Sequence, residues 1–577
     1  MKQFLKMLLA VICGILIVNL LIFVIFAGIA GAAASGLGGG GSAVLPREGV
    51  LTIDLSEVAI TEQESPSDPI AMIQGQTQTP LGIYKAVKAI ESAASDPGVK
   101  FIFLKPDGNT SGISALTELR QALEEFRRSG KAVITYSENL NLGGYYLASV
   151  SDKVFISSYQ GANYNFTGLC AQSFYLKDLL DKFGINMQLI RHGKYKSAGE
   201  MYVRNSPSEE NKEQYQRLVD SMWESVSGPI AESRGITVEE LDREIDNLEL
   251  CLPGDFVEKG LADAILSREE LKEKLATYAV VENFKDVKFI PFADYAQAKV
   301  LTNYKVRDKI AVIYADGEIV DGSDPSNVAG DRFASLIDKV RSDSNVKAVV
   351  LRVNSPGGSV FASEKIKHEL DLLSAQVPVI ASYGEMAASG GYWISNNCSK
   401  IFSNATTLTG SIGVFGLIPE ASKTLKNVAK VGTYEAKSHK HADMTRLTRP
   451  LDAAEYKYME RSIESIYDKF TTLVSEGRGI EKSKVDEIGQ GRVWTGADAI
   501  KIGLVDEIGT LNDAIEYAAS AAGLESWQLS EYPKPLTSLE LIMENIGQNS
   551  EHKYVKALGK LTEPQVIARM PYQITIL

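Results

Sequence analysis

A serine among small residues is the first position in this sequence that could do chemistry. Ser389 lies in the stretch E-M-A-A-S-G-G-Y-W (385–393), with two glycines directly after it. A serine hydroxyl becomes a strong nucleophile when a neighbouring base removes its proton. The alternative is a small residue at a position where a helix packs closely. Which of the two applies depends on whether the chain supplies a base.

An internal repeat provides the comparison needed to look for that base. The segment V-K-F-I-F-L (99–104) matches V-K-A-V-V-L (346–351). At the same offset, G-G-Y-Y-L-A (143–148) matches G-G-Y-W-I-S (390–395). Self-similarity at a fixed spacing is the sign of a duplicated structural unit. We therefore expect two copies of one fold, and polar differences between the copies are candidates for chemistry.

The copies differ where a nucleophile and a base are needed. Ser389 and Ser411 of the second copy align with leucines in the first copy. Lys196 of the first copy, in R-H-G-K-Y-K-S-A (191–198), aligns with Glu435 of the second. Each copy keeps what the other has lost, which packing alone does not explain. We predict one site divided between the copies, with a serine nucleophile from one and a lysine base from the other.

Lysine can serve as this base only when its amine is neutral. Burial disfavours the charged form and lowers a lysine pKa by several units from about 10.4. None of the five histidines lies at the aligned positions. The predicted reaction is acyl transfer, in which Lys196 takes the proton of Ser389 and Ser411 holds the amine in line. Activity that rises toward alkaline pH follows from this assignment.

A glycine turn offers a place for the charge that develops during acyl transfer. The motif N-S-P-G-G-S (354–359) follows a predicted strand, and the equivalent segment of the first copy, D-G-N-T-S-G (107–112), lacks Pro-Gly-Gly. Glycines at a strand end leave backbone N–H groups unobstructed, as an oxyanion hole requires. Gly357 and Gly358 are therefore candidate donors, with an ordinary tight turn as the alternative.

Alternating strands and helices are predicted to position these residues. The runs K-I-A-V-I-Y-A (309–315) and P-V-I-A-S-Y (378–383) indicate buried strands, and Arg332–Val340 and Ala362–Leu373 indicate helices between them. Strand–helix alternation predicts an α/β fold with a parallel sheet. Helical hairpins are expected at two places, 208–247 and 452–487.

The N-terminus carries a membrane signal. The run Leu8–Phe26 contains one polar residue, Asn19, and is long enough to cross a hydrocarbon core of about 30 Å as a helix. Lys2 and Lys6 precede it, so the positive-inside rule puts the N-terminus in the cytoplasm and the body outside. The alternative is a cleaved signal peptide, but the run is longer than a typical apolar core of about 7–15 residues.

The motifs N-S-P-G-G-S, A-A-S-G-G-Y-W, T-L-T-G-S-I-G and G-K-Y-K-S-A occur together in this chain. With the duplication and the anchor, the chain resembles the long form of the bacterial signal peptide peptidase (protease IV) family along essentially its whole length. The resemblance implies a tandem duplication of a crotonase/Clp-protease-like α/β domain, preceded by one transmembrane helix. It implies a Ser/Lys dyad of Ser389 and Lys196, with Ser411 bound to the lysine. Backbone N–H groups near Gly358 and Gly390 would form the oxyanion hole.

The resemblance also implies location and partners. The body would lie on the outer, periplasmic side of the cytoplasmic membrane, held by a single-pass anchor, and would degrade signal peptides released from preproteins. A homotetramer is implied, and no metal or other cofactor is needed. The net charge of −13 argues against a nucleic-acid partner. Four regions follow from these features: anchor and Gly-rich spacer 1–45, lysine-bearing domain 46–305, serine-bearing domain 306–530 and tail 531–577.

Several alternatives remain open at this point. The enzyme could act on membrane or misfolded envelope proteins, or be a crotonase-type acyl-CoA enzyme with Glu385 in proton transfer, or be a non-catalytic scaffold. The dyad could form within one chain or between chains. The disulfide state of three cysteines and the role of the tail are also open; the cysteines are Cys170, Cys251 and Cys398. His439 and His441 are interpreted as surface residues rather than metal ligands.

Overall fold

The computed structural model describes residues 45–64, 78–159, 161, 164–535 and 565–570. The predicted transmembrane segment and the Gly-rich spacer lie outside these residues, as does most of the predicted tail. Within the described ranges, no helix is long and apolar enough to cross a bilayer.

The first half of the chain alternates short strands with helices. Its strands are β1 (Gly49–Asp54), β2 (Val58–Thr61), β3 (Thr79–Gly82), β4 (Val99–Lys105), β5 (Val133–Ser137), β6 (Leu140–Asn141), β7 (Lys153–Ser157), β8 (Tyr164–Asn165), β9 (Asn186–Arg191), β10 (Ala264–Leu266) and β11 (Phe289–Pro291). Its helices are α1 (Ile83–Ser95), α2 (Ile113–Arg128), α3 (Leu142–Ala148), α4 (Lys177–Phe183), α5 (Glu200–Val203), α6 (Glu209–Arg234), α7 (Val238–Asp246), α8 (Pro253–Glu258), α9 (Arg268–Tyr278) and α10 (Phe292–Lys299), with a 3₁₀ turn at Phe284–Asp286.

The second half repeats this alternation. Its strands are β12 (Lys309–Asp316), β13 (Ile319–Val320), β14 (Val328–Ala329), β15 (Val346–Ser355), β16 (Gly357–Ser359), β17 (Val379–Ala388), β18 (Lys400–Ser403), β19 (Leu408–Gly410), β20 (Phe415–Glu420), β21 (Val493–Thr495), β22 (Glu507–Ile508), β23 (Gln528–Tyr532) and β24 (Gln565–Arg569). Its helices are α11 (Gly330–Arg341), α12 (Val360–Ser374), α13 (Gly390–Ser395), α14 (Ala453–Arg478), α15 (Lys482–Ile488), α16 (Gly496–Ala499) and α17 (Leu511–Ala521), with a π-helical turn at Thr424–Val428 and a 3₁₀ turn at Ile500–Ile502.

The duplication predicted from the sequence is visible as two sheets with the same strand order. The first sheet runs β10-β7-β5-β4-β1-β11, and the second contains the path β22-β18-β17-β15-β12-β23. Neighbours along both paths are parallel. The second sheet adds β19 beside β17 and then β21, which is antiparallel to β19. Helices cover these parallel sheets, so their strands are apolar on both faces.

Equivalent interactions recur in the two copies. The Tyr145 hydroxyl donates to the Leu261 carbonyl at 2.6 Å, and the Tyr392 hydroxyl donates to the Leu504 carbonyl at 2.9 Å. The segment G-G-Y, which occurs once in each copy, is therefore part of the core. Trp393, which follows it in the second copy, is also fully buried. The aromatic residues after Ser389, Tyr392 and Trp393, therefore pack in the core of the second copy.

The two predicted helical hairpins form with matching ends. Helix α6 begins after Ser208, whose side chain accepts the Asn211 N–H, and helix α14 begins after Asp452, which closes a capping box. Both helices end at a glycine with left-handed φ, Gly235 at 69° and Gly479 at 65°. Glycine adopts this conformation without steric cost, which explains the E-x-R-G-I motif at both ends.

A buried ion network joins the two copies. Arg352 on β15 is almost fully buried and donates to Glu62 at 2.6 Å and to Glu118 on α2 at 2.8 Å. Burial raises the pKa of the Glu118 carboxyl, while the Arg352 charge opposes that rise. Buried charges require such pairing, and removal of one partner leaves the other uncompensated. The network fixes the first copy against the sheet that carries Ser389.

A third, mixed sheet is built from both copies and borders the predicted site. Its order is β14-β13-β16-β24-β20-β9. Strand β9 of the first copy is antiparallel to β20 of the second, from Asn186↔Glu420 to Arg191↔Phe415. Because Lys196 follows β9 and Ser411 precedes β20, this pairing brings the two halves of the predicted site together.

The cysteines of the described chain are free thiols. Cys170 and Cys251 are exposed, and Cys398 is buried. Burial raises the pKa of the Cys398 thiol to about 12, which keeps it protonated and unreactive at neutral pH.

Candidate active site

Ser389 lies at a sharp turn between a strand and a helix. Strand β17 ends directly before it and helix α13 begins directly after it. Its φ of 55° and ψ of −112° are an unfavourable conformation for a residue with a side chain. Such a strained strand–turn–helix arrangement presents a nucleophile at the end of a sheet. The Ser389 N–H is held by the Gly410 carbonyl at 2.8 Å.

The two glycines after Ser389 are required by close packing. A methyl group on Gly390 would lie 2.8 Å from Ser363 Oγ, and one on Gly391 would lie 2.8 Å from the Ser355 carbonyl oxygen. Larger residues would push α13 away from the end of β15. The glycines thus let the helix start within contact of the β15–β16 turn.

Lys196 is delivered by a loop of the first copy that docks on the second copy. The His192 N–H donates to the Val414 carbonyl at 3.1 Å, and the Tyr195 N–H donates to the Gln490 carbonyl at 3.0 Å. A methyl group on Gly491 would lie 2.5 Å from Lys196 Cβ, so only glycine fits there. The lysine backbone is therefore clamped against the second copy.

The three side chains predicted from the sequence meet at one point within a single chain. Lys196 Nζ lies 2.8 Å from Ser389 Oγ, 2.9 Å from Ser411 Oγ and 3.0 Å from the Ser411 carbonyl oxygen. All three residues are 0% exposed. With a neutral amine, the Ser389 hydroxyl donates its hydrogen bond to Nζ, which is the geometry that proton abstraction needs.

Burial lowers the pKa of this lysine. Desolvation holds the pKa of Lys196 well below its usual value. A lowered pKa increases the neutral fraction of the amine at neutral pH, and that fraction is the one that can accept a proton.

The predicted oxyanion glycines lie beside the nucleophile. Gly357 and Gly358 form part of β16 with φ values of 91° and 152°, a region that favours glycine. A methyl group on Gly357 would lie 2.5 Å from the Gly390 amide nitrogen, and one on Gly358 would lie 2.0 Å from the Ile319 carbonyl oxygen. These contacts account for both glycines of N-S-P-G-G-S and place their backbone next to the turn of Ser389.

Ser411 is the hydroxyl partner of the lysine, held by its own backbone. Its φ is 50°, and its N–H donates to the Arg492 carbonyl at 2.7 Å. We expect Ser411→Ala to lower kcat roughly 10-fold with little change in KM, because one net hydrogen bond of about 1–1.5 kcal/mol positions the amine. Steady-state kinetics on a peptide ester measures both constants. Ser374→Ala, at an exposed helix end, is the control, and equal kcat for both variants would contradict the role of Ser411.

The loop that clamps the lysine has no clear signal in the sequence. Gln490 and Gly491 both have positive φ, 50° and 81°, and Gly413 also borders the Lys196 side chain. The only local signal was the pair of glycines in E-I-G-Q-G-R (487–492). Nothing in that spacing indicates a partner almost three hundred residues earlier in the chain.

Glu385, the candidate acid of a crotonase-type enzyme, has another use. Its carboxylate accepts the N–H groups of Ser114 at 2.7 Å and Ala115 at 3.3 Å, at the start of α2. Burial raises its pKa to about 7. It therefore caps a helix of the first copy, which argues against the acyl-CoA alternative.

One histidine lies closer to acidic groups than its sequence context suggested. Ligand atoms of His441, Asp452 and Glu455 fall within 4.8 Å of one another. However, Arg449 contacts both oxygens of Glu455 at 2.7 Å. A guanidinium already neutralises this carboxylate, so the cluster is suited to an ion-pair network and not to a metal.

Comparison with known proteins agrees with the geometry. The sequence pattern of "Peptidase family S49" matches residues 125–282 and 371–525, one segment in each copy. The chain is 33% identical to "Protease 4" of Haemophilus influenzae, covering 94% of this chain and 90% of that protein. It is 35% identical to "Protease 4" of Salmonella typhi, covering 88% and 84% respectively. It is also 32% identical to "Putative signal peptide peptidase SppA" of Enterococcus faecium, covering 40% of this chain and 68% of that protein.

Proposed function

Because the chain belongs to peptidase family S49 and is a serine peptidase, we propose that Ser389 is its nucleophile and Lys196 its general base. The distance of 2.8 Å between Lys196 Nζ and Ser389 Oγ is the observation that carries this assignment. No other base is needed, since burial alone favours the neutral amine.

The proposed reaction proceeds through an acyl-enzyme. Neutral Lys196 takes the hydroxyl proton as Ser389 Oγ bonds to the scissile carbonyl carbon. Backbone N–H groups of Gly358 and Gly390 stabilise the negative charge on the carbonyl oxygen. The C–N bond then breaks, and the lysine ammonium protonates the leaving amine. Water gives a proton to the same lysine and attacks the ester carbonyl carbon. The bond from that carbon to Ser389 Oγ breaks, the acid leaves, and the lysine ammonium returns its proton to Ser389 Oγ.

The proposed substrates are signal peptides after their release from preproteins. Strand β16 lies beside Ser389, and a strand edge binds an extended peptide in preference to a folded protein. The name of the E. faecium relative points to the same substrate class. Signal peptides carry an apolar core of about 7–15 residues and are left in the membrane. We propose that the apolar run Leu8–Phe26 anchors the enzyme there, with its body on the periplasmic side of the cytoplasmic membrane.

The same proposal includes assembly of several chains. A homotetramer of the crotonase/Clp-like body would enclose the active sites and limit access to unfolded peptides. Oligomeric state is measured on the detergent-solubilised full chain by light scattering, and a monomer at working concentration would contradict this element alone.

Substrate choice is tested by comparing three substrates of one enzyme preparation. The full chain in mixed micelles is given a free synthetic signal peptide, the intact preprotein and a destabilised membrane protein. We expect kcat/KM to be roughly 10-fold or more higher for the free peptide, because an extended chain can pair with the strand edge beside the serine. Ser389→Ala is the control for contaminating peptidases. Equal or faster cleavage of the membrane protein would favour the alternative role in envelope protein turnover.

A further inference from the structure

Strand β24, from the C-terminal tail, lies between the two strands that border the nucleophile. It is antiparallel to β16 with Gly358 opposite Ala568, and antiparallel to β20 with Phe415 opposite Ile567. Strand β16 carries the candidate oxyanion glycines, and β20 follows the turn of Ser411. Strand β24 therefore fills the space between β16 and β20, which form the two walls of the cleft beside Ser389.

The register places one tail carbonyl at the oxyanion position. The Met570 N–H donates to the Pro356 carbonyl at 2.8 Å. In an antiparallel ladder, hydrogen-bonded pairs alternate with non-bonded pairs, so the next bonded pair is Gly358 with Ala568. The Gly358 N–H thus faces the Ala568 carbonyl, the role that a scissile carbonyl has in substrate.

The contacts around Gly357 also place the Ala568 carbonyl at the oxyanion position. A methyl group on Gly357 would lie 2.2 Å from the Ala568 carbonyl oxygen and 2.5 Å from the Gly390 amide nitrogen. The Ala568 carbonyl therefore lies close to both backbone segments that are proposed to bind the oxyanion. Ser389, adjacent to Gly390, has no exposed surface while the strand is there.

The tail binds as an extended peptide binds to a sheet. Main-chain pairing on two sides supplies the attachment, and alternate side chains enter the protein. Ala568 is 0% exposed and Met570 is buried, whereas Arg569 between them is exposed and pairs with Glu318 at 3.4 Å. Exposed ion pairs add little stability, so the two buried side chains and the backbone pairing hold the strand.

We propose that Gln565–Met570 is an internal competitor that occupies the substrate cleft of its own chain. Substrate must displace this strand, and the apparent affinity for substrate is reduced by the fraction of molecules in which the cleft is filled. A tether keeps the competitor at high effective concentration. The inference rests on the proposed nucleophile Ser389 and adds regulation to it.

The test is the rate at which a fluorescent fluorophosphonate labels Ser389, with the labelled residue located by peptide mass spectrometry. Two shortened chains made with new stop codons, one ending at Pro564 and one ending at Met570, are compared with the wild-type chain. We expect the chain ending at Pro564 to be labelled roughly 10-fold faster or more, and the chain ending at Met570 to match wild type. A synthetic peptide of residues 565–577 should slow labelling of the shorter chain.

A point variant in the full chain serves as a second test, because the truncated chain could lose stability. Ala568→Arg in the full chain puts a charged side chain into a fully buried position, and we expect it to expel the strand and speed labelling. Equal labelling rates in all variants, or slower labelling in both altered chains, would overturn the inference. Absence of label on Ser389 in every chain would instead show that the proposed nucleophile is wrong, and the inference would fall with it.

Discussion

Ser389→Ala is expected to lower kcat by on the order of 10⁴- to 10⁶-fold, to near the rate without a covalent step. The reason is that no neighbouring hydroxyl can replace Ser389 as the nucleophile. Ser411 also contacts the lysine, but its φ of 50° and the hydrogen bond from its N–H to the Arg492 carbonyl hold it in a separate turn after β19. A fluorescent peptide with an apolar residue before the cut measures the loss.

The folded state should survive this change, because the bonds that hold this turn come from the backbone: the Ser389 N–H donates to the Gly410 carbonyl, and the Trp393 N–H donates to the Ser389 carbonyl. Far-UV circular dichroism and the thermal midpoint check that the variant is folded. Ser374→Ala, in the same copy and exposed, should keep wild-type kinetics. Activity of Ser389→Ala within 100-fold of wild type would place the nucleophile elsewhere.

Lys196→Met is expected to lower kcat by on the order of 10²- to 10⁴-fold and, at the same time, to stabilise the protein at neutral pH. Methionine fills much of the same volume without a group that binds a proton. Loss of activity follows from loss of the base. The gain in stability follows from linkage between protonation and folding.

The direction of the stability effect is set by the lowered pKa of Lys196 in the folded state. Below the unfolded-state pKa of about 10.4 the unfolded chain binds a proton at this lysine that the folded chain resists. The resulting destabilisation is complete below the folded-state pKa and shrinks as pH rises toward the unfolded-state pKa. Lys196→Met should therefore raise the thermal midpoint at pH 7 and have a smaller effect at pH 10.

Lys194→Met is the matched control for this prediction. Lys194 is exposed two positions earlier in the same loop, with its amine near the Tyr195 ring. Its removal should leave both kcat and the thermal midpoint close to wild type. If Lys196→Met instead lowers the thermal midpoint, and does so more at pH 7 than at pH 10, Lys196 is a charged, stabilising group and not a neutral base.

The duplicated fold and the meeting of Ser389, Lys196 and Ser411 could be predicted because the repeat compares the chain with itself. Ser389 and Ser411 align with leucines in the first copy. The fold itself therefore does not require serine at these positions, and this comparison indicates a chemical role without any other sequence. Buried parallel strands such as β15 carried a clear apolar run, and the helical hairpins ended at glycines that the sequence shows directly.

Other parts of the site depend on contacts between distant segments that have no local pattern. Gln490 holds the lysine loop through its backbone carbonyl, and the need for glycine at 491 comes from its contact with Lys196, which no local pattern shows. The Q-V-I-A-R stretch of β24 has a strand-like composition, but nothing in it specifies the cleft as its partner. Arg352 is a charged residue within an apolar strand, and its carboxylate partners lie in the other copy.

The most direct test of the divided dyad is the pH dependence of Ser389 acylation, measured in a single turnover with a fluorescent ester from pH 5 to pH 10. For wild type we predict a rate that rises with one ionisation and reaches its plateau well below pH 10.4, because burial lowers the pKa of Lys196. For Lys196→Met we predict a slow rate that lacks this ionisation. A wild-type profile retained in Lys196→Met, or a flat wild-type profile from pH 5 to pH 9, would contradict the account, since the base would then lie elsewhere.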